Sequence, residues 1–332
     1  MTGSTAFVLA AGLGTRLRPL TDVRPKPLVP ICGVPILAWT LALAARHGMR
    51  RAVVNAHWHP EQILSWRGEQ EGVYVDVIVE PEILGTGGGL RNASDRLGSC
   101  VTVLNGDILT DLDLTALAAA VPHGGAALAL RVAPEEAFRY GVVATDSTGA
   151  VVRLRSYDTP ATGAVTSDTH FTGLYALDRS VVNRIGPGFQ DVVSTAFRSL
   201  MADRNLVGVR THATWIDIGD LESYLSANMH VLSGAFRGPV DPHARAAFAR
   251  RGGITYGDPD VVRGVVTHGD VWVGHSVQID KGAVLRDCVI GHAARIDAVL
   301  VERSVVWDDV HLSQPVRNGV AYHSDRPPIE LS

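Results

Sequence analysis

The chain has 332 residues, which at roughly 150 residues per domain suggests about two domains. Hydrophobic residues make up 46% and charged residues 19%, enough apolar material for a sizeable core. Lysine and arginine total 30 against 34 acidic residues, a net charge of -4, so no basic excess points to nucleic acid or to an anionic membrane surface.

Cys32, Cys100 and Cys288 show no CxxC spacing, which argues against a disulfide framework or a structural zinc site and for reduced thiols in a cytoplasmic protein. The first residues lack a basic n-region and a long apolar h-region, and no later stretch runs roughly 18 apolar residues without a charge. A soluble, unexported protein without a membrane segment is the expectation. Glycine is the compositional outlier at 34 residues, about a tenth of the chain against a usual value near 7%.

In chain order, the apolar run 6–11 leads into Gly12 and Gly14, and 35–45 has helical length and ends at Gly48, a C-cap residue. Strands are predicted at 52–56, 73–79 and 101–104. Helices are predicted at 60–66, 88–97 and 114–121, the last capped by Asp111 or Asp113. Strands alternating with helices imply a mostly parallel sheet covered on both faces, with ligands at the carboxyl ends of its strands.

From 126 to 177 the pattern changes to β-like runs at 126–132, 151–155 and 171–177, read as an insertion that walls the substrate side of the cleft. A helix at 191–204, a strand at 206–210 and a helix at 221–232 follow, the last with Leu221, Leu225 and Leu232 at helical spacing. The Gly- and Pro-rich stretch up to residue 259 reads as a linker.

Beyond it an internal repeat begins. Val265, Val271, Val277, Ala283 and Val289 recur every six residues, and Ala294, Leu300, Val306 and Leu312 form a second register. A hexapeptide period indicates a β-helix, here of roughly three coils, in which stacking buries the aliphatic column. The organisation expected is a domain over 1–232, a linker at 233–259, a β-helix at 260–315 and a tail at 316–332.

The run Leu9-Ala10-Ala11-Gly12-Leu13-Gly14-Thr15-Arg16 leads from a strand into glycines whose N–H groups can approach an anion unobstructed. It lacks the Gly-Lys-Ser/Thr end of a Walker A loop, and Leu17 stands where the third glycine of a dinucleotide fingerprint belongs. Two nearby cations strengthen the phosphate reading: Arg16, and Lys26 between the prolines Pro25 and Pro27. A nucleoside triphosphate, with about four negative charges, calls for such fixed cations.

With these residues the run 9–30 resembles the signature of the sugar-1-phosphate nucleotidyltransferases. The resemblance continues through Glu80-Pro81-Glu82-Ile83-Leu84-Gly85-Thr86-Gly87-Gly88-Gly89, Asn105-Gly106-Asp107 and Trp215-Ile216-Asp217-Ile218-Gly219-Asp220, with Tyr224 and Asn228 following. It covers essentially the whole chain, since many mannose-1-phosphate guanylyltransferases carry a left-handed β-helix after the catalytic domain. The fold it implies is α/β, a Rossmann-like mostly parallel sheet followed by a short left-handed β-helix of hexapeptide repeats.

The resemblance implies that an NTP and a sugar 1-phosphate are the substrates. Ala10, Ala11, Gly12, Gly14 and Thr15 would hold the nucleotide, with Arg16 stabilising the departing pyrophosphate and Lys26 touching the phosphates. Asp107 and Asp217 would bind magnesium (Mg2+), whose oxygen-ligand preference they suit. Glu80, Gly85, Thr86, Gly87 and Gly88 match the base-binding loop. The pattern points toward GTP and mannose 1-phosphate, with a uridylyltransferase acting on N-acetylmuramate 1-phosphate or a guanylyltransferase acting on heptose 1-phosphate as alternatives.

The family's Glu-Lys-Pro lysine is missing, and Arg153 or Arg155 stands in that region. Thr172 and Gly173 match the sugar-contacting strand. A homo-oligomer formed through the β-helix is implied. A regulatory subunit that binds nucleotide-sugar without turnover is the rival from another class. A metal role for His57 and His59, or an acyltransferase role for His268, His275 and His292, lacks the accompanying ligands or carrier signature.

Overall fold

The computed structural model describes residues 3–331; positions 1, 2 and 332, the outer limits of the expected domains, lie outside the described residues. The chain folds as two compact units. One runs to Leu13 and takes up again at Thr40–Trp215; the other comprises Gly14–Trp39 and the chain from Ile216 onward.

The first unit is built on one sheet. Parallel strands Cys100–Asn105, Ser4–Leu9, Arg51–Ala56 and Val73–Val79 lie side by side in that order. Their apolar runs are buried because both faces are covered: the four central residues of Ser4–Leu9 are all buried. The chain leaves Ser4–Leu9 on one side and returns on the other, so a topological switch point falls between this strand and Cys100–Asn105. The loops that begin with Ala10 and Gly106 leave from that crevice.

The runs expected to form an insertion instead extend this sheet. Val165–Asp178, a strand of 14 residues, pairs antiparallel with Cys100–Asn105, Tyr175 facing Val103. It also pairs with Ala126–Val132 and Val142–Asp146, and the latter carries Val151–Leu154. Alternation alone could not show this, because a strand in an extension and one in a central sheet have the same periodicity. Leu206–Thr211 runs parallel to Ala126–Val132.

Helix ends follow local chemistry. Ile36–Arg46 closes at Gly48, φ 77°, with the Met49 N–H donating to the Ala44 carbonyl. Leu114–Ala119 is capped by Asp113, which accepts from Thr115 and Ala116, while Asp111 accepts from the Thr214 N–H. Leu221–Leu232 starts with an Asp220–Ser223 capping box. No helix among the described residues is long and apolar enough to cross a membrane.

The end of the second unit is strand-rich. Val266–Val273 pairs in parallel with Val284–Ile290, which pairs with Leu300–Glu302 and Val305–Val306. Val266 faces Val284, Val284 faces Leu300 and Val301 faces Val316, displacements of 18, 16 and 15 residues, of which only the first equals three hexapeptides. Of the repeat positions, Val271, Ala283, Val289, Ala294, Val306 and Leu312 are buried, and Val265, Val277 and Leu300 are half-buried. The stretch read as a linker holds the hairpin Phe248–Arg251 and Ile254–Gly257, and Phe248 faces Val273. Its glycines and prolines mark turns within ordered structure.

Candidate functional site

In the first unit the crevice at the switch point is organised by a buried polar chain. Asn55 Oδ1 accepts from the Ala10 N–H at 2.7 Å, and Asn55 Nδ2 donates to Glu80 Oε1 at 2.8 Å. Glu80 Oε2 accepts from the Leu84 N–H at 3.1 Å. Glu80 is 1% exposed, so its carboxylate holds the start of the glycine run instead of facing outward. On the other strand the Gly106 N–H donates to the Leu9 carbonyl at 3.0 Å, which sets half-buried Asp107 beside the strand that leads to Ala10, Ala11 and Gly12.

Gly12 is exposed, and a Cβ placed on it would meet nothing within 4 Å. Protein packing therefore does not require glycine there. The open space matches what an approaching phosphate needs.

Residues 85–89, expected as a base-reading loop, open the helix Gly85–Asn92. The N–H groups of Gly87 and Gly88 donate to the Gln190 carbonyl at 2.8 and 3.2 Å, and the Thr86 hydroxyl accepts from the Val192 N–H. Gly87 and Gly88 are buried with their N–H groups engaged, whereas Gly85 and Thr86 are half-buried. A helix start leaves free N–H groups, and here a carbonyl from a distant segment satisfies two of them.

Gly173, φ 85°, lies against Asn105: a Cβ on it would fall 2.4 Å from Asn105 Nδ2. The neighbouring Thr172 hydroxyl is turned inward to the Ala129 carbonyl, and the Thr172 carbonyl accepts from Trp215 Nε1 at 2.9 Å. Trp215 in turn meets Tyr140 and His170 edge-on at 4.8 and 5.0 Å. Burial lowers the His170 pKa.

The arginines are placed differently. Arg153 lies on a strand three positions along the sheet from Cys100–Asn105, roughly 14 Å away, and its Nε donates to Asp158 at 2.7 Å. Arg155 donates to Asp191 at 2.9 Å, next to the segment that caps the Gly85–Asn92 helix. Both pairs are largely solvent-exposed ion pairs.

In the second unit Gly14 adopts φ 63° as cap of the short turn Thr15–Leu17, a conformation that favours glycine. Its carbonyl accepts from the Thr21 hydroxyl at 2.9 Å, and a Cβ on it would lie 3.3 Å from Lys26 Cβ. Lys26 is half-buried between buried Pro25 and Pro27. A Cβ on Gly219 would be 3.4 Å from both Arg16 Nη1 and Asp217 Oδ2. Arg16 and Asp217, far apart in sequence, thus flank the same small residue. A guanidinium and a carboxylate converging beside an N–H-rich turn can handle a phosphate and its counter-cation together.

Asn55, Thr21 and Gln190 escape the sequence reading. Only their partners reveal them, and no motif spacing announces those partners. The His57 ring nitrogen Nδ1 lies 2.8 Å from the Glu80 carbonyl, and no group of three or more His, Cys, Asp or Glu placed to hold a metal occurs among the described residues.

Residues 5–234 match the family model described as nucleotidyl transferase. A mannose-1-phosphate guanylyltransferase of Mycobacterium tuberculosis is 30% identical over 309 residues, covering 90% of this chain and 83% of that protein. A UTP–glucose-1-phosphate uridylyltransferase of Synechocystis is 29% identical over 336 residues, covering 94% and 85%. The crystal structure of HddC from Yersinia pseudotuberculosis superimposes with a TM-score of 0.55 at 25% identity, over 68% of this chain and 97% of that one.

Proposed function

The chain belongs to the sugar-1-phosphate nucleotidyltransferase family and is an enzyme of that kind, and on that premise we propose that it transfers the guanylyl group of GTP to mannose 1-phosphate. The products are GDP-mannose and pyrophosphate. The observation that carries this reading is the convergence of Arg16 and Asp217 on Gly219, with Lys26 packed against Gly14 in the same unit. The mycobacterial relative supports the choice of GTP and mannose 1-phosphate.

The phosphate oxygen of the sugar 1-phosphate attacks the α-phosphorus in line, and the bond to the β-phosphate oxygen breaks as pyrophosphate leaves. No covalent enzyme intermediate is required. Arg16 and Lys26 hold the β- and γ-phosphates and stabilise the charge that builds on them, so catalysis is positioning plus electrostatics. Ala10, Ala11, Gly12 and Thr15 line the phosphate approach, Gly85 and Thr86 meet the base, and Glu80 acts through Asn55 and Leu84 by holding both loops.

The carboxylates of Asp107 and Asp217 are hard oxygen donors of the kind Mg2+ takes when phosphates and water complete its shell. Bound there, the ion would supply charge neutralisation on the triphosphate. Thr172 and Gly173 contribute the sugar strand, and Arg153 or Arg155 takes the sugar phosphate in place of the missing Glu-Lys-Pro lysine. Residues 260–315 would wind as a left-handed β-helix that pairs subunits.

The test is pyrophosphate release with magnesium, crossing GTP, UTP, CTP, ATP and dTTP with mannose, glucose, N-acetylmuramate and heptose 1-phosphates. GTP with mannose 1-phosphate should turn over, and Asp107→Ala should abolish it. Turnover confined to UTP would replace this reading with the uridylyl one that the Synechocystis relative favours. Nucleotide-sugar binding without release from any pair would make the chain a regulatory subunit.

A further inference from the structure

The segment that carries Lys26 has little backbone structure of its own. It consists of the three-residue turn Lys26–Leu28 and a ladder of two residues a side, Pro30–Ile31 with Val34–Pro35. A catalytic cation needs a fixed position, because small misplacements cost rate and affinity steeply. Within the second unit the fixing comes from side chains some two hundred residues later.

Tyr224 is fully buried, and its hydroxyl donates to the Pro30 carbonyl at 2.9 Å. The same oxygen accepts from Trp307 Nε1 at 2.9 Å. Burial raises the Tyr224 pKa, so the hydroxyl stays protonated and the relay has one direction: indole N–H to phenol to carbonyl. One turn along the helix, buried Asn228 accepts from the Cys32 N–H at 2.9 Å and donates to the Tyr224 carbonyl at 3.0 Å.

Two further anchors come from the strand-rich region. The Arg24 guanidinium lies over the Trp307 ring, 4.8 Å from its centroid, and 3.6 Å from the Asp308 carboxylate. Gly33 has no side chain because the Trp272 ring fills the space; a Cβ there would be 2.1 Å from Trp272 Cη2. The Trp272 indole is held by its own bond to the Pro242 carbonyl at 2.8 Å. Lys26 thus lies between an anchor at Arg24 and one at Pro30, and Trp307 serves both.

Trp272, Trp307 and Asp308 all lie beyond residue 234, where the match to the family model ends. We infer that Trp307, acting directly on Arg24 and through Tyr224 on Pro30, is a positioning residue for Lys26, so that the C-terminal strand-rich region is a working part of the triphosphate site. The inference rests on the phosphate role of Lys26 given above. It makes nucleotide affinity, and not assembly alone, depend on residues beyond the stretch that matches the family model.

The test is equilibrium binding of GTP and of UTP, with magnesium, to the full-length chain. Trp307→Phe keeps an aromatic ring beneath Arg24 and removes the N–H donor together with part of the buried indole. It should weaken binding of the preferred nucleotide about five- to tenfold, and in a Lys26→Ala background it should have almost no further effect. Unchanged affinity with a lowered Tm would make Trp307 purely structural and overturn the inference, as would an equal loss with Lys26 already removed. Should Trp307→Phe fail to fold, Arg24→Gln, at a partly exposed position, is expected to give the same lysine-dependent loss, and its absence would be equally decisive. Failure of the unmodified chain to bind either nucleotide would sink the proposed reaction itself, a result visible before any variant is made.

Discussion

Gly12 and Gly88 both lie in runs that the sequence marks for nucleotide binding, yet the structure uses these two glycines in opposite ways. At Gly12 a side chain would enter open space. At Gly88 a Cβ would fall 2.2 Å from the Gly188 carbonyl oxygen, and at Gly85 2.6 Å from that of Gln190. The first glycine leaves room for something outside the protein, and the second admits another segment of the protein itself. Glycine in a binding motif therefore has two separable meanings, and only the surroundings tell them apart.

Substitutions can break or sharpen this contrast. The largest expected effect is Gly88→Ala, which must displace backbone and should destabilise the fold by about 3 kcal/mol. Thermal unfolding should show a Tm lower by roughly 5 to 10 °C; an unchanged Tm would mean that the two segments do not approach as closely as described. Gly12→Ala should leave stability within about 0.5 kcal/mol but weaken GTP binding roughly tenfold, about 1.4 kcal/mol. Unaltered nucleotide affinity would remove Gly12 from the phosphate site.

The smallest effect is expected from Thr21→Val, which keeps the side-chain shape but loses the hydroxyl donor to the Gly14 carbonyl. A loss of about 1 kcal/mol in stability is the ordinary worth of such a bond. If Gly14 is held by this contact, nucleotide affinity should fall along with it. Affinity unchanged beside a lowered Tm would mean that the φ of Gly14 is secured by its turn alone.

Much of the fold is legible where the signal is local. The strand Val73–Val79 and the helix Leu221–Leu232 have the limits that periodicity predicts, and for the helix the Asp220–Ser223 box explains why its start is sharp. The glycine run was less legible. Low helix propensity at Gly85, Gly87 and Gly88 argues for a loop, but the Gln190 carbonyl takes two of the helix's first N–H groups and outweighs that preference. The 126–177 runs looked like an insertion for a similar reason. Nothing in their alternation shows that Tyr175 lies beside Val103.

The site divides along the same line. Gly12, Gly14, Arg16 and Lys26 stand out in the sequence because a phosphate needs bare backbone and fixed cations close together in the chain, and short spacing is what a sequence displays. Asn55 between Ala10 and Glu80, Gly219 between Arg16 and Asp217, and Trp307 behind Tyr224 and Pro30 were decided only by the tertiary structure. Each joins groups from distant parts of the chain, and residue type alone does not specify a partner. Chain order determines which local conformations are cheap; the partner of a buried donor or acceptor follows from how those pieces pack, since each such group must find one once water is excluded.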